Sequence, residues 1–118
     1  MLGADEVAYD GFLRVVRRQL RLPRGPVATW ELIDIPPTVT VLAFTPEDQV
    51  VMVRQFRPGP GRQMVSMPGG LIDPGEDPVR AGRRELTEET GYVAESVEYL
   101  VAAHLNAFVG RAYLRSRL

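Results

Sequence analysis

The chain has 118 residues, 45% hydrophobic and 25% charged, with a net charge of −1. These values suit one domain with a modest core and give no global sign of a nucleic-acid or anionic-membrane surface. The absence of cysteine excludes disulfides, thiolate catalysis and Cys-based zinc sites, and the single histidine, His104, cannot build a His-rich metal site.

All 14 basic residues are arginines; coding bias accounts for this, although guanidinium forks also suit phosphates. The opening Met1–Glu6 lacks the basic and apolar regions of a secretory signal, and no apolar run reaches the length of a membrane span. The expected location is cytoplasmic.

Residues 12–20 read as a strand with imperfect alternation, with a short helix as the alternative. Pro23, Gly25 and Pro26 make a turn, and residues 27–33 form a second strand, so the N-terminal segment is a β-hairpin. Pro36-Pro37 is the best linker. It divides an N-terminal segment, 1–35, from a domain spanning 36–118. Residues 39–44 are a continuous apolar run rich in β-branched residues and predict a buried strand. Turn chemistry at Pro46-Glu47-Asp48-Gln49 returns the chain as residues 50–56, the expected partner of that strand. Pro58, Gly59, Pro60 and Gly61 form a rigid loop, and residues 63–67 a further short strand ending at Pro68-Gly69-Gly70.

The next helix is well marked. Asp77 suits the N-cap, Pro78 the first helical position and Gly91 the C-terminal stop. Val79, Gly82, Leu86 and Thr90 share one face, where the small Gly82 permits close approach to a sheet. Glu85, Glu88 and Glu89 occupy an adjacent arc. Strands are predicted over 97–101 and 108–114.

Carboxylates three and four apart on a helix repel one another. Three together are better explained by a divalent cation, which prefers oxygen ligands, than by fold stability. Glu76, just before the helix, is placed to orient water or a ligand, and Arg84 to hold part of the cluster. The competing reading is a solvated helix face paired with Arg80, Arg83 and Arg84.

The spacing Gly70-x5-Glu76-x7-Arg84-Glu85-Leu86-x-Glu88-Glu89-x-Gly91-Tyr92 resembles the Nudix box at every fixed position. The resemblance implies hydrolysis of a nucleoside diphosphate linked to another moiety, with Mg²⁺ (or Mn²⁺) as cofactor. It implies Glu85 and Glu89 as the main metal ligands, Glu88 as an additional ligand or nearby base, and the backbone carbonyl of Gly69 as a further ligand. Arg84 and Glu76 complete the implied catalytic group. The implied fold is α+β: an α/β/α sandwich with a mixed, mainly antiparallel sheet, preceded by the N-terminal β-hairpin.

Gly11-Phe12-Leu13, Leu22-Pro23-Arg24-Gly25 and Val51-Met52-Val53-Arg54-Gln55-Phe56-Arg57 are similar to the upstream half of ADP-ribose pyrophosphatases within that family. This similarity implies ADP-ribose as substrate, with AMP and ribose 5-phosphate as products, and a homodimer that exchanges its N-terminal hairpins. It implies Arg54 and Arg57 near the substrate, and Trp30 or Phe12 as a stacking surface for adenine. Neither a nucleic acid nor a membrane is an expected partner.

The chain departs from that pattern in two places. Ser66 stands where those enzymes usually carry glutamate, which leaves another nucleotide sugar or dinucleotide open as substrate. Only 26 residues follow Tyr92 (118 − 92), so the closing C-terminal helix is expected to be missing and the sheet uncovered on one side. A non-catalytic nucleotide-binding module or an inactive truncated form are the alternatives this raises. Residues 104–108 loosely resemble a His-Pro-Asn-Pro-Ala-Phe stretch of some Nudix proteins, but His104 itself is read as a surface or half-buried residue rather than a catalytic one.

Overall fold

A computed structural model of the chain describes residues 2–105 and 109–118. Two compact units emerge. One comprises Met1–Ile35 with His104–Val109, the other Pro36–Ala103 with Gly110–Leu118.

The first unit holds a three-stranded antiparallel sheet, β1 (Glu6–Asp10), β2 (Arg14–Arg21) and β3 (Val27–Asp34), in that order. The β2–β3 hairpin matches the sequence expectation and shows strand rather than helix, from Arg14 to Arg21. β1 was not anticipated: Glu-Val-Ala-Tyr-Asp has no clean alternation, and a register shift between Val7 and Tyr9 breaks its pairing with β2. Cross-strand ion pairs Arg14–Asp34 (3.1 Å) and Arg17–Glu31 (3.4 Å) follow the β2–β3 register, and Arg18 forks onto Asp5 at 2.8 and 2.6 Å. Val16 is the one fully buried apolar side chain among the described residues of this sheet; Tyr9, Phe12 and Trp30 are exposed.

The second unit is built on β4 (Thr38–Phe44), whose burial alternates strictly along its length. β4 sits inside a four-stranded mixed sheet of order β7-β4-β9-β8, with β7 Gly69–Leu71, β8 Ser96–Leu105 and β9 Val109–Arg117. β7 pairs with β4 antiparallel and β9 pairs with it parallel.

The return strand after the 46–49 turn does not extend this sheet as the sequence suggested. Asp48 adopts φ 59°, Thr45 N–H bonds to the Gln49 carbonyl, and one bridge forms between Phe44 and Val50. The chain then leaves, and β5 (Val53–Arg57) pairs instead with β6 (Arg62–Ser66) as a separate ribbon. Alternation identifies a strand, but the choice of partner rests on which distant strand completes the buried face. Here β7 takes the edge on which Val51 N–H bonds to the Ala43 carbonyl, and β9 lines the other edge and brings Ala112 and Leu114 to the core.

The helix α1 spans Pro78–Thr90. The Asp77 carboxylate accepts the N–H groups of Val79 and Arg80, and Gly91 closes the helix at φ 76° with its N–H on the Thr87 carbonyl. Ala81, Gly82 and Leu86 are buried against Val39, Val41 and Ala43 of β4 and Ala112 and Leu114 of β9. Burying Leu86 and Leu114 fully contributes about 1.5–3 kcal/mol each. Gly82 is essential to this contact: a Cβ there would lie 2.2 Å from Leu114 Cδ1 and 3.3 Å from Val41 Cγ2. α1 is the single helix among the described residues, and it is not long and apolar enough to cross a membrane.

Overpacking at Gly82 outweighs the gain of about 1 kcal/mol in helix propensity that alanine would bring. Gly82→Ala should lower stability by about 1 kcal/mol or more in urea unfolding, and adding Leu114→Val should recover part of that loss. Strictly additive losses in the double variant would refute the contact.

Candidate active site

Glu85, Glu88 and Glu89 lie in the last two turns of α1, where the helix dipole disfavours negative charge as their mutual repulsion also does. Their arrangement therefore needs a specific partner, and Arg84 is that partner. Its Nε and Nη2 grip both oxygens of Glu76 at 2.9 Å each, while Nη1 reaches Glu85 Oε1 at 2.8 Å and Glu88 Oε2 at 3.3 Å. Nη2 also donates to the Leu71 carbonyl at 3.0 Å, tying the helix to the end of β7.

Glu76 is placed by its loop. Its Oε2 accepts the Asp73 N–H at 3.0 Å, and its own N–H bonds back to the Asp73 carbonyl. The Arg84 fork, with help from the Asp73 N–H, holds the Glu76 carboxyl down at about 2, and the same contacts with Glu76 and Glu85 push the Arg84 guanidinium up. Arg83, by contrast, donates to the Ala94 carbonyl, so the pairing of the glutamates with neighbouring arginines runs through Arg84.

Glu89 is fixed from the strands. Its Oε1 accepts from Gln55 Nε2 at 2.8 Å and its Oε2 from the Gly69 N–H at 3.0 Å. Gly70 allows the helix this close, since a Cβ there would lie 2.4 Å from Glu85 Oε1, and Gly69 allows β7 to close onto β4, since a Cβ there would lie 2.1 Å from the Val39 carbonyl oxygen. Glu85 Oε2 has no hydrogen bond among the described residues, and Glu88 is exposed. No three acidic or histidine side chains among the described residues converge into a ready-made cation cage. Carboxylate oxygens on successive turns nonetheless suit a hard cation such as Mg²⁺, which retains several waters and takes few protein ligands.

Beside Gly69 and Gly70 opens a cavity of about 350 Å³, lined by Thr38, Thr40, Arg57, Ser66, Met67 and Arg111 among others. The alternation of β5 sends Val53, Gln55 and Arg57 to one face of the ribbon and Arg54 and Phe56 to the other. Of the two arginines singled out from sequence, Arg57 reaches the cavity and Arg54 is not among its lining residues. Trp30 and Phe12 belong to the first unit, where Trp30 faces Arg18 across the β2–β3 pair. His104 falls within β8, and the motif it opens runs into 106–108, outside the described residues.

Three residues at the site escaped sequence reasoning: Gln55, Thr38 and Arg111. The signal for Gln55 was its place two residues before Arg57, on the same face of a strand. Arg111 and Thr38 are joined only by the parallel β4–β9 pairing across 73 positions, which local sequence does not disclose.

Residues 34–117 match the NUDIX domain family model. The chain is 40% identical over 100 residues to an ADP-ribose pyrophosphatase of Bacillus subtilis (strain 168), covering 84% of this chain and 54% of that protein. It is 40% identical over 92 residues to a methanol dehydrogenase activator of Bacillus methanolicus, covering 75% and 50%, and 38% identical over 110 residues to an ADP-sugar pyrophosphatase of Mus musculus, covering 83% and 50%. The chain thus spans about half the length of these relatives. A crystal structure of an ADP compounds hydrolase superposes with a TM-score of 0.79 at 22% identity, covering 98% of this chain and 65% of that one, which supports the fold. The chain belongs to the Nudix family.

Glu76 has a folded-state pKa below its ordinary value of 4.5, so its contribution is complete above about 4.5 and is lost as pH falls toward about 2. In thermal melts the advantage of wild type over Glu76→Gln should shrink steadily across that window. A constant difference from pH 6 to pH 2 would show that the Arg84–Glu76 pair is not formed.

Proposed function

We propose that this Nudix chain carries a metal-dependent pyrophosphatase activity on a nucleoside diphosphate linked to another moiety, with ADP-ribose, yielding AMP and ribose 5-phosphate, as the leading substrate. The observation that carries this reading is the close approach of Gly70 to Glu85, which brings helix carboxylates against a strand that borders a cavity of about 350 Å³. Similarity to the ADP-ribose and ADP-sugar pyrophosphatases supports the substrate class. A Mg²⁺ ion (or Mn²⁺) held by Glu85 and Glu89, with Glu88 and the Gly69 carbonyl as further ligands, would neutralise diphosphate charge and polarise the P–O bond to be cleaved.

The chain's own groups do the positioning. Arg84 orients Glu85 and Glu88, Glu76 fixes Arg84, and Gln55 with the Gly69 N–H holds Glu89. Glu88, exposed beside the other two, is the candidate to take a proton from an attacking water. Arg57 supplies a guanidinium to the phosphates. A second reading, another nucleotide sugar, is favoured by Ser66, a neutral side chain at the cavity where the resemblance to ADP-ribose pyrophosphatases implies a glutamate.

In the same proposal the N-terminal segment, residues 1–35, serves homodimer formation: it buries little apolar surface by itself and exposes Tyr9, Trp30 and Ile33. Trp30 would then offer a stacking face, Arg54 a phosphate contact from outside the cavity, and the enzyme would work in the cytoplasm on a small molecule.

AMP release from ADP-ribose, nucleotide sugars and dinucleoside polyphosphates should require Mg²⁺ and stop in EDTA. Glu85→Gln and Glu89→Gln should each lower kcat by about 10²-fold or more with little change in melting temperature. Turnover in EDTA, or wild-type rates in both variants, would overturn the assignment; a folded protein that bound nucleotide and cleaved none would be a non-catalytic module.

A further inference from the structure

Arg111 is half-buried at the cavity wall, and its Nε donates to Thr38 Oγ1 at 3.1 Å. The parallel register sets this bond, because Thr38 and Arg111 are direct neighbours across β4 and β9. With Nε occupied, the guanidinium plane is fixed while both Nη groups keep their donors. Three other arginines of the second unit are paired with carboxylates, Arg84 with Glu76, Glu85 and Glu88, Arg115 with Glu98 and Arg117 with Asp48, and Arg54, Arg62 and Arg80 are not among the residues lining the cavity. Neither Arg111 nor Arg57 has a carboxylate within salt-bridge distance among the described residues, and no carboxylate lines the cavity.

Two unneutralised cations facing one cavity raise each other's energy unless an anion enters. The hydroxyls of Thr40 and Ser66 add neutral donors, and the Gly69–Gly70 backbone leaves the floor open. Planar guanidinium forks match phosphate oxygens in pairs. We infer that Arg111, latched by Thr38, pairs with Arg57 to form a clamp for the diphosphate of the substrate and makes Arg111 a specificity-determining residue. The assignment deepens the pyrophosphatase reading and rests on it for the identity of the anion. A clamp of two separate cations on one cavity favours a diphosphate over a single phosphate group. It also assigns recognition to the sheet, apart from the carboxylates on α1.

Calorimetric titration of the whole chain with imidodiphosphate in EDTA tests the clamp without turnover. Wild type should bind it more tightly than inorganic phosphate. Arg111→Gln should weaken imidodiphosphate about tenfold or more, as losing a charge-assisted bidentate contact does. Arg115→Ala, removing an arginine already paired with Glu98, should leave the affinity unchanged. Thr38→Val, which frees the latch but keeps the charge, should weaken binding by about threefold, and it carries the test if Arg111→Gln does not fold. No binding by wild type, or unchanged affinity in a folded Arg111→Gln or Thr38→Val, would overturn the clamp. Steady-state kinetics separate the two proposals: the clamp predicts a raised KM in Arg111→Gln. A wild type that binds imidodiphosphate through Arg111 yet hydrolyses nothing would overturn the hydrolase reading and leave the clamp standing.

Discussion

The second unit is organised around one guanidinium. Arg84 hydrogen-bonds to three carboxylates and a backbone carbonyl, from the pre-helix loop, from α1 itself and from the end of β7, with the Asp73 carboxylate a further neighbour at 3.7 Å. Without it, Glu76 and Glu85, whose side chains are 15% and 13% exposed, would be left half-sheltered and unpaired beside other negative charge. A lysine could supply the charge but not the fork, which is why the residue type matters as much as its sign. The glycines beside it serve the same end. Gly70 lets β7 lie against Glu85, Gly69 lets β7 close onto β4, and Gly82 lets the adjacent face of α1 sink onto Leu114. Helix packing and carboxylate placement are two consequences of one close approach.

Much of this was legible in the sequence because it is local. Asp77, Pro78 and Gly91 delimit the helix by capping physics, and the fixed spacing of Gly70, Glu76, Arg84, Glu85, Glu88 and Glu89 lies within twenty residues or so of chain. Strand identity was equally accessible where β-branched and apolar residues run together, as in β4. What escaped reading is non-local. Residues 50–56 carry a good strand pattern after a good turn, yet the chain pairs 53–57 with 62–66 because β7 takes the rest of that edge of β4. The same blindness hid Arg111, whose only tie to the site is the register of a parallel pair. Arg54 and Arg57 look equivalent as letters, but an odd separation along a strand sends them to opposite faces.

The placement of charge divides the labour of the site. Negative groups are collected on α1 and neutralised in part by Arg84, while uncompensated positive groups stand on the sheet side of Gly69–Gly70. An anionic substrate that spans both would meet guanidinium groups at one end and carboxylates, tolerable only with a cation between, at the other. In the proposed reading the carboxylates on α1 would hold the reacting centre, and Arg57, Ser66 and Arg111, which lie on other strands, would meet the rest of the substrate.

The dependence on Arg84 is best tested by Arg84→Lys, assayed for Mg²⁺-dependent AMP release from ADP-ribose alongside a melting curve. If the fork sets the carboxylates, kcat should fall by about 10²-fold while the protein still folds cooperatively, since small misplacements of reacting groups carry costs of that size. Wild-type kcat in the lysine variant would show that charge alone suffices and that the fork does not organise the site.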